Sequence, residues 1–213
     1  MSDANRTQNS AVRKTQFATP KQAAWLLGLL VAALVLLSLG DETARELLRY
    51  DRAAVLDAGE YWRLVTGHLV HASVTHLALN LAGLGLLAAL FPRHYSWGGW
   101  LWIAAASTAA IDIGFVWNEP QLTWYVGLSG VLHGALAAGA IAWWRFESKA
   151  LAMLLTLVLV GKLAWEQIHG ALPLSGDMSV IVDAHLYGAI GGAITGALLV
   201  FGQHGWPSGA RSL

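Results

Sequence analysis

Residues 182–202 read VDAHLYGAIGGAITGALLVFG, an apolar run matching the roughly 20 residues a helix needs to cross about 30 Å of hydrocarbon. Gly188, Gly192 and Gly196 recur at every fourth position, so they share one helix face and let another backbone come close. Asp183 and His185 stand at the start of the run. Working outward, five further apolar stretches lie at 23–39, 69–91, 97–117, 124–144 and 150–168. The expected fold class is therefore all-α, a polytopic membrane bundle of six transmembrane helices over residues 23–202. A mobile polar arm over 1–22 and a short tail over 203–213 flank it.

Composition agrees with residence in lipid: 56% of the 213 residues are hydrophobic, 12% are charged, and the mean hydropathy is +0.52. The 13 Lys and Arg balance the 13 Asp and Glu, so no basic excess points to nucleic acid and no acidic excess to a solvating tail. With no cysteine, disulfides, thiolate metal sites and thiol nucleophiles are excluded. Arg6, Arg13, Lys14 and Lys21 before the first stretch mimic a signal peptide, but acidic sequence and five more apolar stretches follow, so the stretch is read as a retained helix. If the spans alternate, those residues fall with Arg93, Arg145, Lys149 and Arg211 on one side, which places both termini in the cytoplasm. The acidic 40–68 loop then lies outside. Within it, Ala44–Tyr50 has the spacing of a short amphipathic surface helix, and Tyr61 and Trp62 suit headgroup level.

Polar groups inside apolar spans are costly in lipid and mark candidate chemistry. Gly127-Leu128-Ser129-Gly130-Val131-Leu132-His133-Gly134 opens the fourth span. The glycines allow a tight turn and leave room for another chain beside Ser129, although a helical serine often only back-bonds to a carbonyl. Gly130, Gly134 and Ala138 form a second small-residue stripe. Packing it against the stripe of the sixth span would bring Ser129 towards His185, and a neutral imidazole can activate a serine hydroxyl as nucleophile. If the fourth span starts near Tyr125, Ser129 lies roughly 6 Å along it. His133, one turn deeper on the face of Ser129, is expected to fill space or bond a neighbouring helix.

His68, His71, His76 and Asn80 enter the second span, with His76 and Asn80 on one face where both can donate to an oxyanion. A metal site is the rival reading, because His68 and His71 are three apart, but no carboxylate falls in register. Asp112 reads as a structural acceptor, and Lys162 and Glu166, at i and i+4, as a mutually neutralised pair. Asp183 points to a different face from His185, so a Ser–His dyad without a carboxylate is expected.

Together these motifs resemble the rhomboid family of intramembrane serine proteases. Glu60-Tyr61-Trp62-Arg63 is similar to its Trp-Arg loop motif, His71, His76 and Asn80 fall where its second-helix residues do, and Gly127-Leu128-Ser129-Gly130 and Ala184-His185 with Gly188 and Gly192 match its two catalytic motifs. The resemblance covers about residues 40–202. It implies a six-helix bundle that cuts membrane-anchored proteins, with Ser129 and His185 catalytic, His76, Asn80 and the Ser129 amide as oxyanion hole, and His71, Gly127, Gly130 and His133 in support. No cofactor, no metal and no nucleic-acid partner are expected, and the chain is expected to lie in a bacterial-type inner membrane. The string Gly127 to Gly134 further resembles the rhombosortase branch, associated with proteins bearing a C-terminal Gly-Gly motif, apolar helix and basic tail. Where many rhomboids carry Tyr four residues after the serine, this chain has His133. The alternatives are a catalytically inactive rhomboid-like protein that binds clients, and a histidine-lined transporter.

Overall fold

The computed structural model describes residues 20–171 and 180–202. The expected 1–22 arm, up to residue 19, and the 203–213 tail lie outside the described residues, as do Arg6, Arg13, Lys14 and Arg211 of the charge argument. Helix α1 spans Pro20–Ser38. It is followed by a short surface helix α2, Glu42–Leu48, bent from it by 119°. Next come a two-residue strand β1, Tyr50–Asp51, and two short helices, α3, Arg52–Leu56, and α4, Arg63–Thr66. Helices α5, Val74–Leu90, and α6, Trp97–Asn118, precede a second short strand, β2, Trp124–Tyr125. Three long helices complete the bundle: α7, Ser129–Phe146, α8, Lys149–His169, and α9, Val182–Phe201.

One local device starts most of these helices: a side-chain oxygen just before the first turn accepts an otherwise orphaned backbone N–H. Asp41 accepts from Ala44, Asp51 from Ala54, Ser73 from His76, Ser96 from Gly99 and Ser148 from Leu151. The Ser73 cap delays α5 to Val74, although the apolar run begins at 69. Likewise α7 does not start near Tyr125 but at Ser129, because Gly127 adopts φ +120°, a left-handed value that interrupts a helix. Ser129 is thus the first residue of its helix rather than one turn in.

By length and composition, α6, α8 and α9 can each cross a membrane, and α1 with α2 makes a fourth candidate if the bent pair is one span. At 17 residues α5 is a shorter apolar helix, and α7, a continuous helix that carries His133 and Arg145, is not among these candidates. Large apolar side chains line the outside, among them Leu101, Trp102, Leu154, Leu157, Ile194 and Leu198. The molecule is a multi-pass helical membrane bundle, with its apolar exterior suited to lipid and its polar residues turned inward.

The centre of the bundle is α7, packed against α5, α6, α8 and α9. The antiparallel pairing Tyr50↔Tyr125 and Asp51↔Trp124 ties the long loop to the segment just before Ser129. Arg52 donates to the carbonyls of Phe115 (2.9 Å) and Val116 (3.0 Å) and so closes the end of α6. Arg63 is buried and donates to the Glu60 carboxylate at 2.5 Å and to the carbonyls of Glu46 (2.6 Å) and Arg49 (3.0 Å), pinning α2 to α4. Beneath this loop Tyr50, Ile111, Phe115, Tyr125, Leu128, Val131 and Ala184 form one apolar cluster. That cluster supports the ends of α7 and α9 where the polar residues gather.

Candidate active site

Close approach of α7 and α9 is possible because their small residues interleave. A Cβ on Gly188 would run into the Gly130 carbonyl, one on Gly192 into the Gly134 carbonyl, and one on Gly196 would lie 2.8 Å from the Ala138 Cα. In that register Ser129, at the start of α7, faces His185, in the first turns of α9. His185 Nε2 and Ser129 Oγ are 3.0 Å apart, within hydrogen-bonding distance. Both stand at helix N-termini, where first-turn N–H groups are free of intrahelical partners.

The loop before Ser129 is fixed from several directions. The Gly127 N–H donates to the Gly67 carbonyl (2.9 Å), and the Tyr125 hydroxyl donates to the Gly127 carbonyl (2.6 Å). A side chain on Gly127 would press into the His76 ring, with Cε1 at 2.5 Å and Nε2 at 2.7 Å. Glycine is therefore required twice, for its backbone angle and for the space the imidazole takes. His76 thereby lies against the loop that carries Ser129. Asn80, buried one turn on, donates one amide hydrogen to the His76 carbonyl (3.0 Å) and keeps its second N–H.

His71 packs edge-on to His76 with ring centroids 5.1 Å apart, and its Nδ1 lies 3.1 Å from Ser38 Oγ of α1. His68 turns elsewhere: its Nε2 lies 3.3 Å from Asp112 Oδ1, and its ring packs on Tyr125. The spacing of His68 and His71 thus does not make them neighbours in one site. His133 stacks face to face on His185, with centroids 4.0 Å apart and planes 19° from parallel. Its Nδ1 is 2.7 Å from the Ser129 carbonyl oxygen, which only accepts, so this nitrogen carries the hydrogen.

One neighbour of His185 was not expected. Glu166, near the end of α8 and 3% exposed, places Oε2 3.0 Å from His185 Nδ1 and Oε1 2.6 Å from Lys162 Nζ. The i, i+4 pair with Lys162 is present, but it uses only one carboxylate oxygen. The carboxylate beside His185 is therefore supplied by the fifth long helix rather than by Asp183, two residues away. A signal existed: α8 ends on the side where α9 begins, so a polar residue three positions from its end sits at the depth of His185. Among the described residues, His133, Glu166 and His185 also bring ligand-type atoms within 4.8 Å of one another, as a metal site would require. Both oxygens of Glu166 are already engaged there by Lys162 and His185.

Comparison with known proteins agrees in extent with this arrangement. The sequence model of the family described as "Rhomboid domain" matches residues 58–201. A protein of Bacillus subtilis (strain 168) named "Putative rhomboid protease YdcA" is 28% identical over 142 residues, which cover 67% of this chain and 69% of that protein.

Proposed function

The chain belongs to the rhomboid family, and from that premise we propose that it is an intramembrane serine endopeptidase in which Ser129 is the nucleophile and His185 the general base. The observation that carries this reading is the 3.0 Å approach of His185 Nε2 to Ser129 Oγ, made across two helices whose facing glycines leave no room for a Cβ.

In acylation Ser129 Oγ bonds to the scissile carbonyl carbon, its proton passes to His185 Nε2, and the carbonyl π pair moves onto oxygen. When that pair returns, the C–N bond breaks and the amine leaves with the proton from His185. Water then attacks the ester, gives one proton to His185, and releases the acid as Ser129 recovers its hydrogen. The oxyanion of each step falls to the Ser129 N–H, His76 and the second N–H of Asn80. Rhomboid proteases act on membrane-embedded substrates, and the substrate proposed here is a membrane-anchored protein cut near the outer face. Six spans with both termini in the cytoplasm of a bacterial-type cell carry this arrangement. The Gly127 to Gly134 string favours C-terminal anchors with a Gly-Gly motif, as in the rhombosortase branch.

The test uses the purified chain in bilayers with a fluorophosphonate and a membrane-anchored peptide. Wild type should label and cleave, and Ser129→Ala should do neither while keeping its thermal midpoint, because only a hydroxyl is lost. Cleavage by Ser129→Ala at the wild-type rate would reject the mechanism.

A further inference from the structure

We propose that Glu166 is a positioning residue for His185, so that Ser129, His185 and Glu166 work as a triad whose carboxylate is anchored by Lys162. This deepens the reading of Ser129 as nucleophile and His185 as base, and rests on it.

The argument starts from the placement of Glu166. Helix α8 is the most lipid-facing of the long helices near the site: Leu154, Leu157, Val158 and Val160 are each more than half exposed, yet Glu166 is 3% exposed. Turning a carboxylate inward while apolar neighbours face outward is costly unless the inner position satisfies it. Pairing with Lys162 does not require that arrangement, because an i, i+4 pair can form at the surface of its own helix. What the inner position adds is Oε2 against His185 Nδ1 at 3.0 Å.

The chemical consequence lies in the tautomer. A carboxylate only accepts hydrogen bonds, so Nδ1 of His185 carries the hydrogen, and of the two neutral tautomers the contact selects the one in which Nε2 keeps its lone pair. Nε2 is the atom 3.0 Å from Ser129 Oγ, so the base is held in the form able to take the hydroxyl proton. The opposite tautomer would present N–H to the hydroxyl and could not accept from it. His133 stacks on the ring and fixes its plane, but a stack does not choose between the two nitrogens. As Nε2 gains the serine proton, the Nδ1 hydrogen stays where it is, and the imidazolium sits beside an anion that Lys162 holds in place at 2.6 Å. No proton passes to Glu166 in the cycle.

The experiment compares wild type, Glu166→Gln, Glu166→Asp and the double variant Lys162→Met/Glu166→Gln, with fluorophosphonate labelling rate, kcat, KM and thermal midpoint measured for each. The probe substrate is a bilayer-anchored peptide with Gly-Gly at its membrane boundary. Glu166→Gln should lower kcat and the labelling rate by about 10²-fold while KM changes less than about threefold. Glu166→Asp, which keeps the charge, should recover part of that loss. In the double variant no lysine is left unpaired, so stability should return while turnover stays low. If its turnover returns to within about tenfold of wild type, Glu166 only neutralises Lys162 and the proposal is overturned. The double variant also decides the matter should Glu166→Gln fail to fold. Wild type is a separate control: if it neither labels nor cleaves, the nucleophile assignment itself has failed.

Discussion

Gly188 of α9 lies so near the backbone of Gly130 in α7 that a methyl group at position 188 would be 3.3 Å from the Gly130 Cα and closer still to its carbonyl oxygen. Gly188→Ala must therefore push the helices apart at the level of Ser129 and His185. Overpacking of this kind costs about 1–3 kcal/mol, and widening the 3.0 Å separation should cost activity beyond the stability loss. The control is Gly161→Ala on α8, where an added Cβ meets nothing within 4 Å and helix propensity improves by up to about 1 kcal/mol. Thermal midpoints and fluorophosphonate labelling of the two variants check this. Labelling of Gly188→Ala at the wild-type rate would show that the close register is not needed.

The oxyanion assignment separates binding from turnover. His76 borders the Ser129 loop through Gly127, and Asn80 has one unspent amide hydrogen. If both stabilise charge that exists only in the transition state, His76→Ala and Asn80→Ala should each lower kcat by about 10²-fold and leave KM nearly unchanged. A rise in KM at constant kcat would instead make them substrate-binding groups.

Most of this bundle was legible because its signals are periodic. The apolar runs gave the long helices, the i, i+4 glycines gave the α7–α9 contact, and the spacing at 44–50 matched the short helix at Glu42–Leu48. Less legible were features that depend on a distant partner. Tyr50 pairing with Tyr125 and Arg52 closing α6 leave no periodic trace, since each joins segments more than 60 residues apart. Helix starts slipped where an apolar run continued through an extended loop, as at 124–128, because hydropathy does not register the positive φ of Gly127. Glu166 was legible only in part: its pair with Lys162 within one helix is present as the spacing implies, but a carboxylate has a second oxygen, and sequence cannot aim it at His185.

Substrate choice is tested at the anchor. A helical anchor hides its scissile amide in intrahelical hydrogen bonds, and Gly-Gly at its boundary loosens that helix by roughly 1 kcal/mol per residue relative to Ala. A client ending in Gly-Gly, an apolar helix and a basic tail should be processed, and the same client with Leu-Leu in that place should persist uncut on a gel. Equal processing of both would reject the rhombosortase-like assignment.

At the far end of the bundle, His94 supplies a pH dependence that is separate from catalysis. Burial holds its pKa below the ordinary histidine value, and the Glu147 carboxylate, 3.4 Å from Nε2, offsets this only in part. The unfolded chain therefore binds this proton more readily than the folded one. The stability tied to His94 is fully present above the unfolded value of about 6.5 and is lost as pH falls towards the lower folded value. Thermal midpoints taken from about pH 7.5 to about pH 5 should fall more steeply for wild type than for His94→Phe. Parallel curves would remove His94 from the account.

His133 tests what the imidazole of His185 needs beneath it. Its ring stacks on His185 at 4.0 Å, and its Nδ1–H donates to the Ser129 carbonyl at 2.7 Å, so it offers both a flat surface and a hydrogen bond. The two contributions separate by substitution. His133→Phe keeps the surface and loses the bond, and the Ser129 carbonyl still accepts the intrahelical N–H, so the cost should stay near 1 kcal/mol. His133→Ala removes both and leaves a void under a residue whose orientation sets the 3.0 Å contact with Ser129, so it should lose about 10-fold or more in kcat as well as stability. His133→Tyr should resemble Phe. If Phe is as inactive as Ala, the surface is not what matters, and the Ser129 carbonyl bond or a proton role of His133 must take its place. The pH–rate profile of His133→Gln, which can still donate to that carbonyl but cannot titrate, then decides between those two: an unchanged profile assigns the bond, and a lost limb assigns the proton.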